Sequence, residues 1–452
     1  MTGPNKPPIK KIGMVSLGCP KNAVDTEYLL GDLVNTGYEI TPNQEEADVL
    51  VVNTCGFIES AKRESVDAIL EMAQLKTDGK CRKLIVTGCL SERYSDDLLK
   101  EIPEIDHIFG VNQYPRLKQV LHTTDSAKPQ SRNQMNGKAE YYEPYADRIL
   151  TTPSYSAYLK ISEGCSNKCA FCIIPKMRGN IRSQPLDSLV TEARQLAELG
   201  VRELNLISQD TTMYGLDLRM KNGLIRLLEA LVEVEGIEWI RLFYCYPTFI
   251  DTELIEFIQR EAKVVPYIDV PLQHIHDEML ARMKRQEREI KVRRMLDEIR
   301  AKIPGVALRT TFITGFPGET EAHFLHLRDF LQETQFDHVG VFTYSHEEGT
   351  TAFDYADDVP EKIKQERKDE LMQAQKEISR QKNQAKVGEV HPVLVEGVDG
   401  EESYLVTGRL PTQAPEIDGQ VIIEASDVEP GMIVPMRIIS ATDYDVVATR
   451  VD

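Results

Sequence analysis

Ser162-Glu163-Gly164-Cys165-Ser166-Asn167-Lys168-Cys169-Ala170-Phe171-Cys172 follows directly on an apolar, strand-like run that includes Tyr158, Leu159 and Ile161. Three cysteines, spaced by three and then two residues in a short loop, can turn three thiolates toward one centre but not four. Three protein ligands leave one position of a metal group open, which suits chemistry better than a structural staple. Behind this loop, strand and helix patterns alternate. Strand-like runs lie at 155–161, 203–207, 240–244, 267–270, 307–313 and 338–342, and helical patterns at 187–199, 224–234, 252–260, 277–301, 320–334 and 362–382. Asp187 and Asp251 stand where N-caps belong, and Gly200, Gly236 and Gly305 where helices end. Six such units are two short of an eight-fold barrel. They predict an open partial TIM barrel whose lateral opening could admit a macromolecule.

In a parallel barrel, the loops after the strands collect the chemistry. The second carries Gln209 and Asp210, the fourth Gln273 and His274, and the fifth Gly315-Phe316-Pro317-Gly318. Each alone could simply shape a turn; their shared position after successive strands makes them candidates for holding a small molecule. Gly315 and Gly318 would let backbone approach it closely. The charge-rich segments 284–300 and 361–386 are expected to be solvated helix faces.

Upstream, three short branched runs at 12–17, 49–52 and 84–86 lead into Gly18-Cys19, Asn53-Thr54-Cys55 and Thr87-Gly88-Cys89. Helical patterns follow at 23–35, 60–74 and 91–100. Repeated strand–helix units imply a parallel sheet, whose ligand-binding edge lies past the carboxyl ends of its strands. Cys19, Cys55 and Cys89 all fall there and are expected to meet in space. The alternative is three unrelated buried thiols, since cysteine is often a small core residue. Cys81, which precedes its strand, and Cys245, which has no partner spacing, are expected to be just that.

Length and charge set the frame. A chain of 452 residues suits about three domains, and the boundaries expected are 1–121, a polar linker at 122–150 (Lys128-Pro129, Asn136-Gly137, Pro144), 151–384 and 385–452. After residue 387, short alternating runs at 390–395, 403–406, 421–423, 434–439 and 445–448 suggest a small barrel of the oligonucleotide-binding kind. Residues 386–452 hold four basic and thirteen acidic side chains, with two tyrosines, 404 and 444. An RNA-gripping barrel needs a basic groove and stacking aromatics. This one suits a basic protein instead, and RNA binding through it is not expected. The net charge of −19 likewise argues against broad nucleic-acid binding. The polar N-terminus, the absence of a long apolar run and eight cysteines, too few for a disulfide scaffold, give the expectation of a cytoplasmic protein without a membrane segment. A monomer is favoured.

The cysteine loop at the head of an open strand–helix barrel resembles that of the radical S-adenosylmethionine (SAM) enzymes. The resemblance implies that Cys165, Cys169 and Cys172 ligate a [4Fe–4S] cluster, that SAM takes the open iron, and that its reductive cleavage yields a 5′-deoxyadenosyl radical. An electron donor is implied with it. With the N-terminal cysteines and the small TRAM-like C-terminal barrel, nearly the whole chain is similar to the radical SAM methylthiotransferases. In that family Cys19, Cys55 and Cys89 would hold a second [4Fe–4S] cluster that supplies or carries the inserted sulfur. Two segments, Ser16-Leu17-Gly18-Cys19-Pro20-Lys21-Asn22-Ala23-Val24-Asp25-Thr26-Glu27 and Cys172-Ile173-Ile174-Pro175-Lys176-Met177-Arg178-Gly179, resemble the RimO-type branch. That branch methylthiolates the β-carbon of an aspartate in a small-subunit ribosomal protein. The tRNA branch (MiaB-type) usually shows Gly-Cys-Gln-Met-Asn where this chain has Gly18-Cys19-Pro20-Lys21-Asn22. One departure stands out. Many radical SAM enzymes hold the SAM amino group with Gly-Gly-Glu after the second strand; here Ile207-Ser208-Gln209-Asp210 occupies that place, leaving Gln209 and Asp210 as candidates for the role.

Overall fold

Val49, Leu50, Val51 and Val52 are completely buried, and their alternation explains why this strand is apolar without a break. Leu50 and Val52 face a core with Ile69, Met72 and Leu98, while Val49 and Val51 face another with Leu29, Leu33 and Leu117. A strand covered on both faces belongs in the middle of a parallel sheet. The computed structural model, which describes residues 10–111, 113, 116–122, 131–135, 148–398, 405–425 and 427–451, shows that sheet. Its order is Glu39–Ile40, Lys11–Ser16, Val49–Thr54, Lys83–Gly88, Ile105–Ile108, with every neighbour parallel. The two outermost strands were not expected from the sequence; both are short and Ile105–Ile108 is half polar, as edge strands often are. The helices Pro20–Asn35, Glu59–Asp78 and Cys89–Glu101 cover the faces.

The chain divides into two compact units. The first comprises Met1–Thr151, Glu163–Ser166 and Ile173–Asn180, and the second Thr152–Ser162, Asn167–Cys172 and Ile181–Asp452. The expected linker lies largely outside the described residues, as does Tyr404.

The second unit contains the open barrel. Its six strands, Ser156–Lys160, Glu203–Ile207, Trp239–Leu242, Val264–Asp269, Ala307–Thr314 and His338–Thr343, lie side by side in chain order and parallel throughout. The sheet does not close. Asp251 caps the helix Thr252–Arg260 by accepting the Leu254 N–H at 2.9 Å. Asp187 is not a cap: Pro185 takes that position and Asp187 falls in the first turn. The expected helix 277–301 is two helices, Asp277–Arg282 and Glu289–Lys302, with a turn between them where Lys284 adopts φ 55°. Arg285 and Glu287 in this turn are buried, contrary to the expectation of a solvated face; they form an ion pair at 2.7 Å, and the Arg285 guanidinium stacks on Tyr246.

The same unit ends in a closed five-stranded barrel built from Val390–Val398, Val406–Arg409, Val421–Ile423, Ile433–Ala441 and Val446–Arg450 around Val393, Val395, Met436, Ile438 and Val446. Its segment 409–418 seals the amino-terminal edge of the six-stranded sheet. Arg409 donates to Glu203 at 2.6 Å, Arg241 to the Pro411 carbonyl at 2.7 Å, and Tyr267 to Asp418 at 2.8 Å. The functional loops are on the other edge. Among the described residues, no helix is long and apolar enough to cross a membrane.

Candidate metal centres

Cys19 is the N-cap of Pro20–Asn35, Cys55 follows Val49–Thr54, and Cys89 opens Cys89–Glu101. The sheet brings these three turns together. A Cβ added at Gly18 would lie 3.0 Å from the Cys55 sulfur, and one at Gly56 only 2.9 Å from the Cys89 carbonyl carbon. Asn22 ties the first two turns: its Nδ2 donates to the carbonyls of Leu17 (2.9 Å) and Thr54 (3.0 Å), and its backbone N–H to that of Cys19. Ser65 fixes Cys55 by accepting its N–H and donating to its carbonyl, both at 2.9 Å.

The thiols share one electrostatic environment. Burial pushes the Cys89 thiol up to about 12, with Arg178 opposing and Cys19 and Cys55 reinforcing the shift. Cys55 is also raised, chiefly by burial. Thiols so placed keep their protons near neutrality unless a metal displaces them. A single tetrahedral ion with metal–sulfur bonds of about 2.3 Å needs its sulfurs within about 4 Å of each other. Among the described residues, the one group with three ligand atoms inside 4.8 Å is His276, Glu278 and His323. Three thiols on turns gathered at one sheet edge are a donor set that an iron–sulfur cluster could use. None of the eight cysteines is in a disulfide.

His276, Glu278 and His323 have another explanation. Nδ1 of His276 accepts the Glu278 N–H, and Nδ1 of His323 accepts the Thr320 N–H in a capping box. A neutral imidazole that accepts at Nδ1 carries its proton on Nε2. His323 Nε2 lies 3.4 Å from the Glu278 carboxylate, as a hydrogen-bond donor would.

The loop cysteines are divided between the units. Cys165 belongs to the first, where it is buried and its N–H donates to the Gly179 carbonyl at 3.0 Å. Cys169 and Cys172 belong to the second and are partly exposed. Between these two, Ala170 is fully buried beside Met283 and Phe316; it donates to the Met283 carbonyl at 2.8 Å and accepts from Ala352 at 2.7 Å. Phe171 meets Phe316 edge to face. The Cys169 sulfur lies 4.0 Å from an Arg285 nitrogen; burial raises that thiol and the guanidinium opposes the rise.

Asp210 is buried after the second strand and accepts from Asn167 of the cysteine loop at 2.7 Å, with Gln209 beside it half-buried. Gln273 adopts φ 69° and bonds through its backbone to Thr311 and Ile313. Gly315 and Gly318 have φ of 72° and 83°; the space a Cβ would take is filled by Lys364 at the first and by Arg282 at the second. These glycines therefore have a packing role of their own. Buried Glu319 holds the turn, accepting from the Gly315 N–H and from Arg367 and lying 3.6 Å from His274 Nε2. Cys81 and Cys245 are buried, with burial raising both thiols. Sequence reasoning missed Asn22, Arg178 and Arg285. Asn22 and Arg178 stood inside quoted segments, but their roles depend on contacts across 32 and 156 positions.

Comparison with known proteins agrees with this architecture. A family model described as "Uncharacterized protein family UPF0004" matches residues 11–110, the "Radical SAM superfamily" matches 159–331, and the "TRAM domain" matches 387–451. Among relatives named "Ribosomal protein uS12 methylthiotransferase RimO", that of Trichlorobacter lovleyi is 47% identical over 444 residues, covering 98% of both chains. That of Symbiobacterium thermophilum is 50% identical over 96% of this chain and 90% of its own. Among solved structures, the radical S-adenosylmethionine methyltransferase TsrM from Kitasatospora setae, with cobalamin and a [4Fe–4S] cluster bound, shares the fold with a TM-score of 0.54 at 15% identity, over 74% of this chain and 75% of that one. The chain therefore belongs to the RimO family of radical SAM methylthiotransferases.

Proposed function

We propose that this enzyme transfers a methylthio group to ribosomal protein uS12, the substrate in its relatives' names, and that the acceptor is the β-carbon of an aspartate in that small-subunit protein. The observation that carries this reading is the gathering of Cys19, Cys55 and Cys89 at one sheet edge, in a chain that also has the 165–172 loop. In this reading Cys19, Cys55 and Cys89 hold one [4Fe–4S] cluster, and Cys165, Cys169 and Cys172 hold another that also binds SAM. When bound, these groups supply the sulfur and the radical chemistry. The chain's own residues position and shield them. Gln209, Asp210, Gln273, Gly315 and Gly318 are the candidates for orienting SAM. Phe171 and Phe316 pack beside Ala170 and keep water from that side of the loop.

The domains are those read from the sequence: cluster domain 1–121, linker 122–150, radical SAM domain 151–384 and TRAM-like barrel 385–452. The acidic barrel suits a basic ribosomal protein and disfavours RNA. We take the enzyme to be cytoplasmic and monomeric and to draw on a separate electron donor. The test is mass spectrometry of ribosomal proteins and digested tRNA from a strain lacking the gene. Loss of a methylthio mass from an aspartate peptide of uS12 is expected. An unmodified tRNA adenosine with uS12 intact would show a tRNA methylthiotransferase instead.

A further inference from the structure

Arg178 ends the short helix Ile174–Arg178 in the first unit and is only 1% exposed. Its Nη1 donates to Glu163 at 2.8 Å and lies 3.2 Å from Asp25, while Nη2 donates to the side chain of Asn22. Asn22 is the residue that ties the turns of Cys19 and Cys55. Ile173 and Met177, on the segment that leads into Arg178, pack on Cys89, and the guanidinium charge opposes the rise that burial imposes on the Cys89 thiol. The next residue, Gly179, accepts the N–H of Cys165. One planar fork, which stays charged in any protein environment, thus reaches the turns of Cys19 and Cys55 through Asn22 and that of Cys89 through its neighbour Met177. A buried arginine needing only neutralisation would be satisfied by two carboxylates; the hydrogen bond to Asn22 and the position next to Met177, which packs on Cys89, go beyond that.

We propose that Arg178 is a positioning residue of the Cys19, Cys55 and Cys89 site, one that fixes the cysteine turns and places a permanent cation at Cys89 to set the reduction potential of the cluster held there. This rests on the reading that these cysteines hold a [4Fe–4S] cluster. Hydrogen bonds and nearby charge govern the potentials of such clusters, and groups that orient metal ligands are worth about 10–100-fold in metal affinity.

The test uses the full chain carrying Cys165→Ala, Cys169→Ala and Cys172→Ala, reconstituted anaerobically so that only the N-terminal site holds iron. Iron content, the midpoint potential by redox titration followed by electron paramagnetic resonance, and the rate of iron loss to a chelator are then measured. With Arg178→Gln the potential should become more negative and iron should leave on the order of tenfold faster; Arg178→Lys should restore most of the potential. Should Arg178→Gln fail to fold, the near-isosteric Asp25→Asn decides, because it unmasks the guanidinium and should make the potential less negative. Unchanged potentials in folded Arg178→Gln, or in Asp25→Asn, would reduce Arg178 to a structural latch and overturn the proposal. Failure of the parent triple variant to take up iron would instead overturn the cluster reading beneath it.

Discussion

The two cysteine sets are built in opposite ways. Cys165, Cys169 and Cys172 lie within eight residues, and the loop at Ala170 is pinned by two backbone hydrogen bonds and an apolar contact with Phe316. Cys19, Cys55 and Cys89 are 36 and 34 positions apart and meet only because three parallel strands end side by side, with Asn22 bonding across the gap. A local site needs its spacing, whereas an assembled site needs its fold. The first should therefore respond to changes in the loop and its frame, and the second to changes in the sheet edge.

The largest effect separates the two sets outright. Cys169→Ala should abolish SAM-dependent release of 5′-deoxyadenosine from the purified chain while leaving iron at Cys19, Cys55 and Cys89; loss of all iron would mean that the sets are not independent. Next is the frame of the second unit. Burial pushes the Glu203 carboxyl up, but the guanidiniums of Arg409 and Arg241 outweigh it and hold it at about 2. Glu203→Gln takes from Arg241 its buried carboxylate and leaves Arg409 with Glu396 alone, and should cost about 3–5 kcal/mol in urea unfolding. Because the folded value lies below the ordinary one of about 4.3, this stabilisation is present above that value and disappears as pH falls toward 2. Wild-type stability should drop across that window, and the variant should lack this part of the drop.

Asn22→Ala should act on the assembled site alone. It removes one buried and one partly buried hydrogen bond and the acceptor for Arg178, costing about 1–3 kcal/mol and speeding iron loss from the first set with SAM cleavage unchanged. Equal losses at both sites would erase the distinction. The smallest effect is at Asp251, where alanine removes a helix cap and should lower stability by about 1 kcal/mol. Iron content should not change.

Much of the architecture was legible because parallel strands covered on both faces leave a strong signal. The strand expected at 203–207 and the helix at 252–260 have those bounds in the structure. The weaker elements were harder: Glu39–Ile40 is two residues long, and the helix expected at 277–301 is broken by a turn that buries Arg285. Arg285 lies in a segment of alternating charge, which locally looks solvated; its partners Glu287, Tyr246 and the Pro271 carbonyl become visible only in three dimensions. The candidate cysteines could be named from spacing and strand ends. Asn22 and Arg178 could not be given roles, because a buried polar residue is recognised by its partners and these are distant in sequence.

The most direct test counts iron. Anaerobic reconstitution of the wild-type chain should give about eight irons, and replacing either Cys19, Cys55 and Cys89 or Cys165, Cys169 and Cys172 by alanine should leave about four. Saturation of the wild type at about four irons, or a triple variant that still binds about eight, would contradict two separate cysteine sites.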